Sequence, residues 1–429
     1  MRRHKVFSIM STLALLFCLG VLPAWAEFSV QCPPDEDGID TDGDTIVDND
    51  NVCVHLSAGD GLVRMADGTD AYIFGFASQR ADNANPQATP VVFRYGDARP
   101  PAANISLPTA GPYNGLSLGA NFPAPSIEIR EGQKVYLNLS NVGMLLRPDL
   151  FDPHTVHYHG FPNVASIFDG LPDSAIAINM GFTLTYFYNV VEPGTFMYHC
   201  HVEATEHMQM GMLGNLYVTA RQETERTRAI SPLPPINGFT RFAYNDTDGS
   251  TGYHVAKALQ IHSFDPEFHN SSEAVQPLPF ALMDDRLPMF NGRGYPDTVN
   301  TSPIANREGY LAQLTDALIE VPQGQRVLLR LSSLSTVEFY TIASPSIPMT
   351  VVGQGARILR TAGDVNGQDL YYTTHSVTLG GGEAKDIILD TAGIAPGTYF
   401  IYTANLNDLS NNQEDFGGMM TEVVVTAAP

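Results

Sequence analysis

Val191-Glu192-Pro193-Gly194-Thr195-Phe196-Met197-Tyr198 and Ile394-Ala395-Pro396-Gly397-Thr398-Tyr399-Phe400-Ile401-Tyr402 share one grammar: a Pro-Gly turn opening onto Thr and aromatic residues. Pro and Gly punctuate the chain, whereas Thr, Phe and Tyr suit a pleated, half-buried surface, so each run reads as a turn leading into a strand. The likeness continues upstream. Ser126-Ile127-Glu128-Ile129-Arg130, the turn Glu131-Gly132-Gln133 and Lys134-Val135-Tyr136-Leu137-Asn138-Leu139 are matched by Leu318-Ile319-Glu320-Val321, Gln323-Gly324-Gln325 and Arg326-Val327-Leu328-Leu329-Arg330-Leu331. Ser231-Pro232-Leu233-Pro234-Pro235 separates the blocks. A repeat at this spacing means two copies of one domain, so the fold class is all-β, two tandem Greek-key β-sandwich domains, which we place at 61–225 and 236–429.

Composition agrees and excludes some partners. The 429 residues include 37 Gly and 30 Pro, as a turn-rich β protein requires. The net charge of −23 repels phosphate backbones and anionic headgroups, which argues against nucleic acid and membrane surfaces. Residues 1–26 read as a signal peptide: Arg2, Arg3 and Lys5, an apolar run from Ile9 to Leu22, then Ala24-Trp25-Ala26 as a cleavage site. The mature chain is therefore expected to be exported, to a periplasm or outside the cell.

Residues 27–60 read as an acidic lead-in. Cys32 and Cys53 bracket it and can pair in an oxidising compartment. Asp40, Asp42, Asp44 and Asp48 alternate with Gly43 nearby and can wrap oxygen ligands around calcium, although the glycine is not where an EF-hand has it. The segment is similar to the Asp-rich calcium repeats of thrombospondin-type modules; the other reading is a solvated linker closed by one disulfide. Cys18 leaves with the signal, so Cys200 is the odd cysteine.

Cys200 stands among histidines. His154-Thr155-Val156-His157-Tyr158-His159-Gly160 is followed by His199-Cys200-His201 and by His207-Met208-Gln209-Met210-Gly211-Met212. On a strand, His157 and His159 share a face, as do His199 and His201, while Cys200 points the other way. One run can thus give imidazoles to one site and a thiolate to another. Two imidazoles, one thiolate and a distant thioether suit a copper electron-transfer site, which His154, Cys200, His207 and Met212 can supply, with Met208 or Met210 as other axial candidates.

These two runs resemble the copper-bearing motifs of multicopper oxidases and copper nitrite reductases, and looser likeness extends to Phe290-Asn291-Gly292-Arg293 and Pro348-Met349-Thr350-Val351-Val352-Gly353. The resemblance implies two cupredoxin-like domains, type 1 copper on His154, Cys200, His207 and Met212, and a second copper centre on His157, His159, His199 and His201. It implies an oxidoreductase passing electrons from the type 1 copper to that centre and on to oxygen, with nitrite as runner-up acceptor, and a homotrimer. The electron source is then a small reductant, a metal ion or a redox partner protein.

Three departures qualify this. Six residues separate Cys200 from His207, where oxidases usually have four. Met349 and Ala404 stand where relatives carry second-domain imidazoles, and His254, His262, His269 and His375 lack paired spacing, though His262 and His269 with Asp265 and Glu267 offer a small extra metal site. The alternatives to an oxidase are accordingly a blue-copper electron-transfer protein without a catalytic centre and a copper-sequestering protein. Residues 240–310 give no functional reading.

Overall fold

The computed structural model describes residues 51–78 and 118–428 apart from 163, 229, 364 and 365, together with the short strands Glu27–Phe28, Phe93–Arg94 and Ile105–Ser106. The leader at 1–26, Cys32, Asp40, Asp42, Asp44 and Asp48 lie outside the described residues.

The first sandwich is built from Asn51–Arg64 (β1), Asp70–Ser78 (β2), Ala124–Arg130 (β3), Lys134–Gly143 (β4), His157–His159 (β5), Thr183–Asn189 (β6), Gly194–His199 (β7) and Leu213–Thr219 (β8). One sheet has the order β2-β1-β4-β6 and the other β3-β8-β7-β5. The two strands flanking Glu131-Gly132-Gln133 therefore belong to different sheets. The turn, with Gly132 at φ +97°, carries the chain across the sandwich, and the Gln133 side chain accepts the Arg130 amide at 2.8 Å. Such crossings make the parallel pairs β1 with β4 and β3 with β8, which a meander would lack.

The second sandwich repeats this plan with Val255–Phe264 (β9), Leu287–Phe290 (β10), Ile319–Pro322 (β11), Arg326–Ser333 (β12), Tyr340–Ala343 (β13), Met349–Gln354 (β14), Ser376–Leu379 (β15), Glu383–Asp390 (β16), Gly397–Thr403 (β17) and Met420–Thr426 (β18). Its sheets contain β10-β9-β12-β16-β14 and β11-β18-β17-β13-β15, with β9 parallel to β12 and β11 parallel to β18. The fold is all-β, two tandem cupredoxin-like Greek-key sandwiches.

One expected border is corrected. The acidic lead-in reads as 27–60, but β1 begins at Asn51 and every residue from Asn51 to Val63 is buried. Its polar residues are internal: Asp60 accepts from the Tyr72 hydroxyl at 3.0 Å and from the Leu146 amide at 2.7 Å. Ser57 and Asp60 are thus accommodated in a central strand, Ser57 donating to the Ala77 carbonyl and Asp60 held by Tyr72 and the Leu146 amide.

The sandwiches share an interface. Val63, Ile73, Phe122, Met197 and Leu213 of the first pack with Phe264, Leu287, Met289, Leu334 and Ala384 of the second. Polar groups inside it are paired: Thr195 donates to Asp386 at 2.6 Å, Tyr244 donates to the other Asp386 oxygen at 2.5 Å, and Arg330 lies 3.5 Å from the carboxylate. Arg330 also covers the Tyr217 ring of the first sandwich at 5.5 Å. Among the described residues, three α-helices join the strands: Ala204–Gln209 (α1), Arg221–Thr227 (α2) and Pro266–Glu273 (α3). α3, part of the 240–310 stretch, continues the interface, starting on an Asp265 cap that accepts the Glu267 amide at 2.8 Å and packing on β2.

Removing a carboxylate from a buried ion pair strands the cation in a low-dielectric setting. Asp386→Ala should therefore lower unfolding free energy by about 3–5 kcal/mol, read by urea denaturation. A cost under about 1 kcal/mol would mean that the interface tolerates an unpaired Arg330.

Candidate metal centres

The first centre is assembled by loops at one end of the first sandwich. β7 ends at His199, and Cys200 follows it into the core, where its thiol is fully buried. His154 arrives on the strand-like segment that pairs with Ile178 through amide bonds of 3.0 and 2.9 Å. His207 arrives on the short helix Ala204–Gln209 (α1), which starts after Glu203 at φ 46°. This helix absorbs the longer Cys200–His207 spacing and returns the imidazole to the sulfur. Nδ1 of His207 is 3.2 Å from Cys200 Sγ and Nδ1 of His154 is 3.7 Å away. Cys200, His154, His207 and Met212 all have no solvent exposure.

Met212 is tied to the same place by its main chain. Its carbonyl accepts the Cys200 amide at 3.1 Å and its amide donates to the His207 carbonyl at 2.8 Å. Met210 is equally buried, and Met208 lies on the cleft beside the histidines described below. Burial opposes ionisation of Cys200, but His207 and His154 outweigh it and hold the thiol well below its ordinary range. Burial likewise pulls His207 down, while Cys200 and Asp152 carry it up to about 10. A thiolate with two imidazole nitrogens aimed at it, all dry, fits a soft or borderline cation such as copper. Asp152, whose carboxylate is 3.8 Å from His207 Nε2, was not singled out from sequence, although it immediately precedes Pro153-His154. Asp152, Glu203 and His207 form a further acidic group at this edge.

The second group lies across the β7–β5 pair, whose register sets His199 opposite His157 and Met197 opposite His159. His159 and His199 approach through their Nε2 atoms to 2.9 Å. Their Nδ1 atoms, and that of His157, face main-chain carbonyls: Asp169 at 2.6 Å from His157, Gly382 at 3.3 Å from His159 and Cys200 at 2.7 Å from His199. A carbonyl accepts only from N–H, so each ring is held with its proton on Nδ1 and a lone pair on Nε2. Burial first, and neighbouring imidazoles second, push His199 down to about 3 and lower His159 as well, so both are neutral at pH 7. His157, His159 and His199 form a compact ligand set; the His201 ring is 5.0 Å from that of His157 and stands at its rim.

The second sandwich closes this group with backbone. Leu334, Ser335, Thr336, Gly381 and Gly382 line a cleft of about 260 Å³ opposite His159, His199 and His201. Gly382 has φ +90°, and a Cβ there would stand 2.8 Å from the His159 ring, so glycine is required by conformation and by space. Nothing in the local sequence around Gly380-Gly381-Gly382 signals that contact.

The extra metal site offered by His262 and His269 is corrected. His269 sets Nδ1 2.6 Å from the Tyr72 carbonyl and Nε2 3.0 Å from the Gln209 carbonyl, and His262 sets Nδ1 3.1 Å from the Leu334 carbonyl. Both are fully packed structural residues. Gln209 itself donates to Asp285 at 2.8 Å and accepts from Thr336 at 3.1 Å. The second sandwich and α3 therefore grip the loop that bears His207 and Met212. Met349 is buried in the second core and Ala404 is exposed, so neither position offers an imidazole.

Comparison with known proteins bears on the fold and on the segment that carries the histidines. Residues 104–223 match the family model described as multicopper oxidase. The multicopper oxidase MmcO of Mycobacterium tuberculosis is 32% identical over 104 residues, covering 24% of this chain and 19% of that protein. The chain thus spans about a fifth of the curated relative it matches. A blue copper oxidase from Nitrosomonas europaea superposes with TM-score 0.56 at 20% identity, over 86% of this chain and 85% of that one. A copper nitrite reductase from Nitrosomonas europaea gives TM-score 0.51 at 15% identity, over 87% and 94%. At these identities the superpositions establish the fold.

His269 provides a check on the grip. Burial pushes it down to about 4, so between that value and 6.5 the unfolded chain binds a proton that the folded one does not, and stability falls with pH across that window. At pH 5 the loss is about 2 kcal/mol relative to pH 7. Urea unfolding of metal-free His269→Gln at both pH values should show that much less pH dependence than wild type; an unchanged slope would contradict the assignment.

Proposed function

We propose, from the match of residues 104–223 to the family model described as multicopper oxidase, that the chain is an exported copper oxidoreductase. His154, Cys200, His207 and Met212 hold a type 1 copper in this reading. The observation that carries it is the convergence of two Nδ1 atoms on the buried Cys200 Sγ. A copper ion held there supplies one-electron transfer at a site whose ligands barely rearrange between oxidation states. The chain keeps water out through the zero exposure of all four residues, and fixes the ligand loop through Met212, Gln209 and His269. Cys200 is covalently continuous with His199 and His201, which gives the shortest route from the sulfur to the second group of imidazoles.

Dioxygen is the favoured acceptor, with nitrite the runner-up. The reductant we favour is cationic, because Asp152 and Glu203 flank His207 and the chain carries −23 charges. Among the described residues, the second sandwich meets His159, His199 and His201 with glycine backbone and hydroxyls, a lining that does not fit a three-copper cluster. That same observation favours the second reading, a blue-copper electron-transfer protein.

Cys200→Ser should abolish the blue thiolate-to-copper absorption without unfolding the chain; surviving colour would refute the type 1 assignment. The double variant His157→Ala with His159→Ala should keep the colour and lose turnover with oxygen and a phenol, Cu(I) or Mn(II). Unaltered oxygen uptake would exclude the second group from catalysis.

A further inference from the structure

We infer that the outer face of the second sandwich carries a binding pocket for an organic ammonium ion, built from β17, β18, the chain that joins them and Tyr295. The inference goes beyond the copper reading above and does not rest on it, since the pocket shares no residue with either group of histidines.

The strand register supplies the floor. In the antiparallel β17–β18 pair Phe400 lies opposite Glu422 and Tyr402 opposite Met420, so these four side chains share one face. That face is turned away from the core, which takes the alternating Ile401 and Val423 instead. Leu406 and Phe416 line the pocket from the connecting chain. Tyr295 closes the side, its ring set edge-on to that of Phe416 at 5.7 Å and 84°. The space enclosed is about 400 Å³, a size proper to small-molecule sites.

The walls are fixed by the loop's own hydrogen bonds. Tyr295 donates its amide to the Gly418 carbonyl at 2.8 Å, Met419 to the Asp408 carbonyl at 3.0 Å and Gly417 to the Leu409 carbonyl at 3.1 Å. Asn411 ties the same loop twice, its side chain donating to the Tyr295 carbonyl and accepting the Gly418 amide, each at 2.9 Å. Phe400, Leu406 and Phe416 nonetheless stay 41%, 72% and 64% exposed. A loop ordered in this way holds apolar side chains in solvent around a concave space, which folding alone does not favour and a ligand site requires.

Charge selects the ligand. No Lys or Arg follows Lys385, and every lining residue except Tyr295 comes from that stretch. Glu422 borders the floor beside Phe400 and accepts from the Tyr295 hydroxyl at 3.0 Å. Glu414 and Asp415 are exposed immediately before Phe416 in the chain. Aromatic rings carry negative charge on their faces, and Tyr295, Phe400, Tyr402 and Phe416 supply four of them next to a carboxylate. Such a cage attracts an ammonium group whose substituents are apolar, with the attraction growing as the cation leaves water. An anion is repelled by the same groups. A second copy of this chain would set the acidic rim against itself, so charge argues against that occupant.

The test is isothermal titration calorimetry of the full protein with choline and, separately, with 3,3-dimethylbutan-1-ol, in which a carbon replaces the charged nitrogen. Choline should saturate one site per chain and bind about tenfold more tightly than the alcohol, because the rings and Glu422 act on the charge. Glu422→Gln should weaken choline and leave the alcohol as it was. Phe416→Ala should weaken both, with thermal unfolding showing that each variant is folded. Equal affinity for the two compounds in the wild type would overturn the inference and make the pocket merely apolar. Absence of saturable choline binding at millimolar concentrations would overturn it as well. Sedimentation supplies the remaining outcome: if the wild type is an assembly that Phe416→Ala separates into single chains, the pocket belongs to a second copy and the inference fails.

Discussion

The alternation of side chains across His199-Cys200-His201 sets the terms for the whole molecule. A chain leaving a strand keeps successive side chains on opposite sides. The sulfur therefore enters the core of the first sandwich while the imidazoles face outward, and outward at β7 means toward the second sandwich. β7 is buried along its full length, between β8 on one edge and β5 on the other. Placing a dry thiolate site inside one domain thus obliges the imidazole group to lie at the interface with the next.

The interface is built to hold that geometry. Apolar side chains from both sandwiches form one cluster, and the charged groups within it are fully paired through Asp386, Arg330, Thr195 and Tyr244. An unpaired charge there would be costly, so the network permits few relative positions of the two domains. Positional tolerance matters because Gly382 supplies a carbonyl to His159 at 3.3 Å. A small slide of one sandwich would change the orientation of a proposed metal ligand.

The second sandwich also serves the buried sulfur site, at a distance. Gln209 lies two residues after His207, and its side chain and carbonyl are held by Asp285, Thr336 and His269. Residues 240–310 give no functional reading in sequence for this reason. α3 and its flanks have little of their own to bury; their contacts are to β2 and to the ligand loop, far away in the chain. Long-range contacts of that kind leave no periodicity behind.

The sequence by itself determined the fold class, because strand alternation and Pro-Gly turns act over a few residues and appear twice in the same order. It also placed His157 with His159, and His199 with His201, on shared faces, since period two fixes those faces before any folding. Tertiary structure decided what local pattern cannot carry. Polar residues of β1 are central because Asp60 meets Tyr72 and the Leu146 amide, partners that no local rule supplies. Which ring nitrogen faces the proposed metal was settled by the carbonyls of Asp169, Gly382 and Cys200. The set of donors around the second group was settled by what the opposite domain brings to the interface. Both depend on atoms distant in sequence meeting at hydrogen-bonding range, and only the packed chain specifies that.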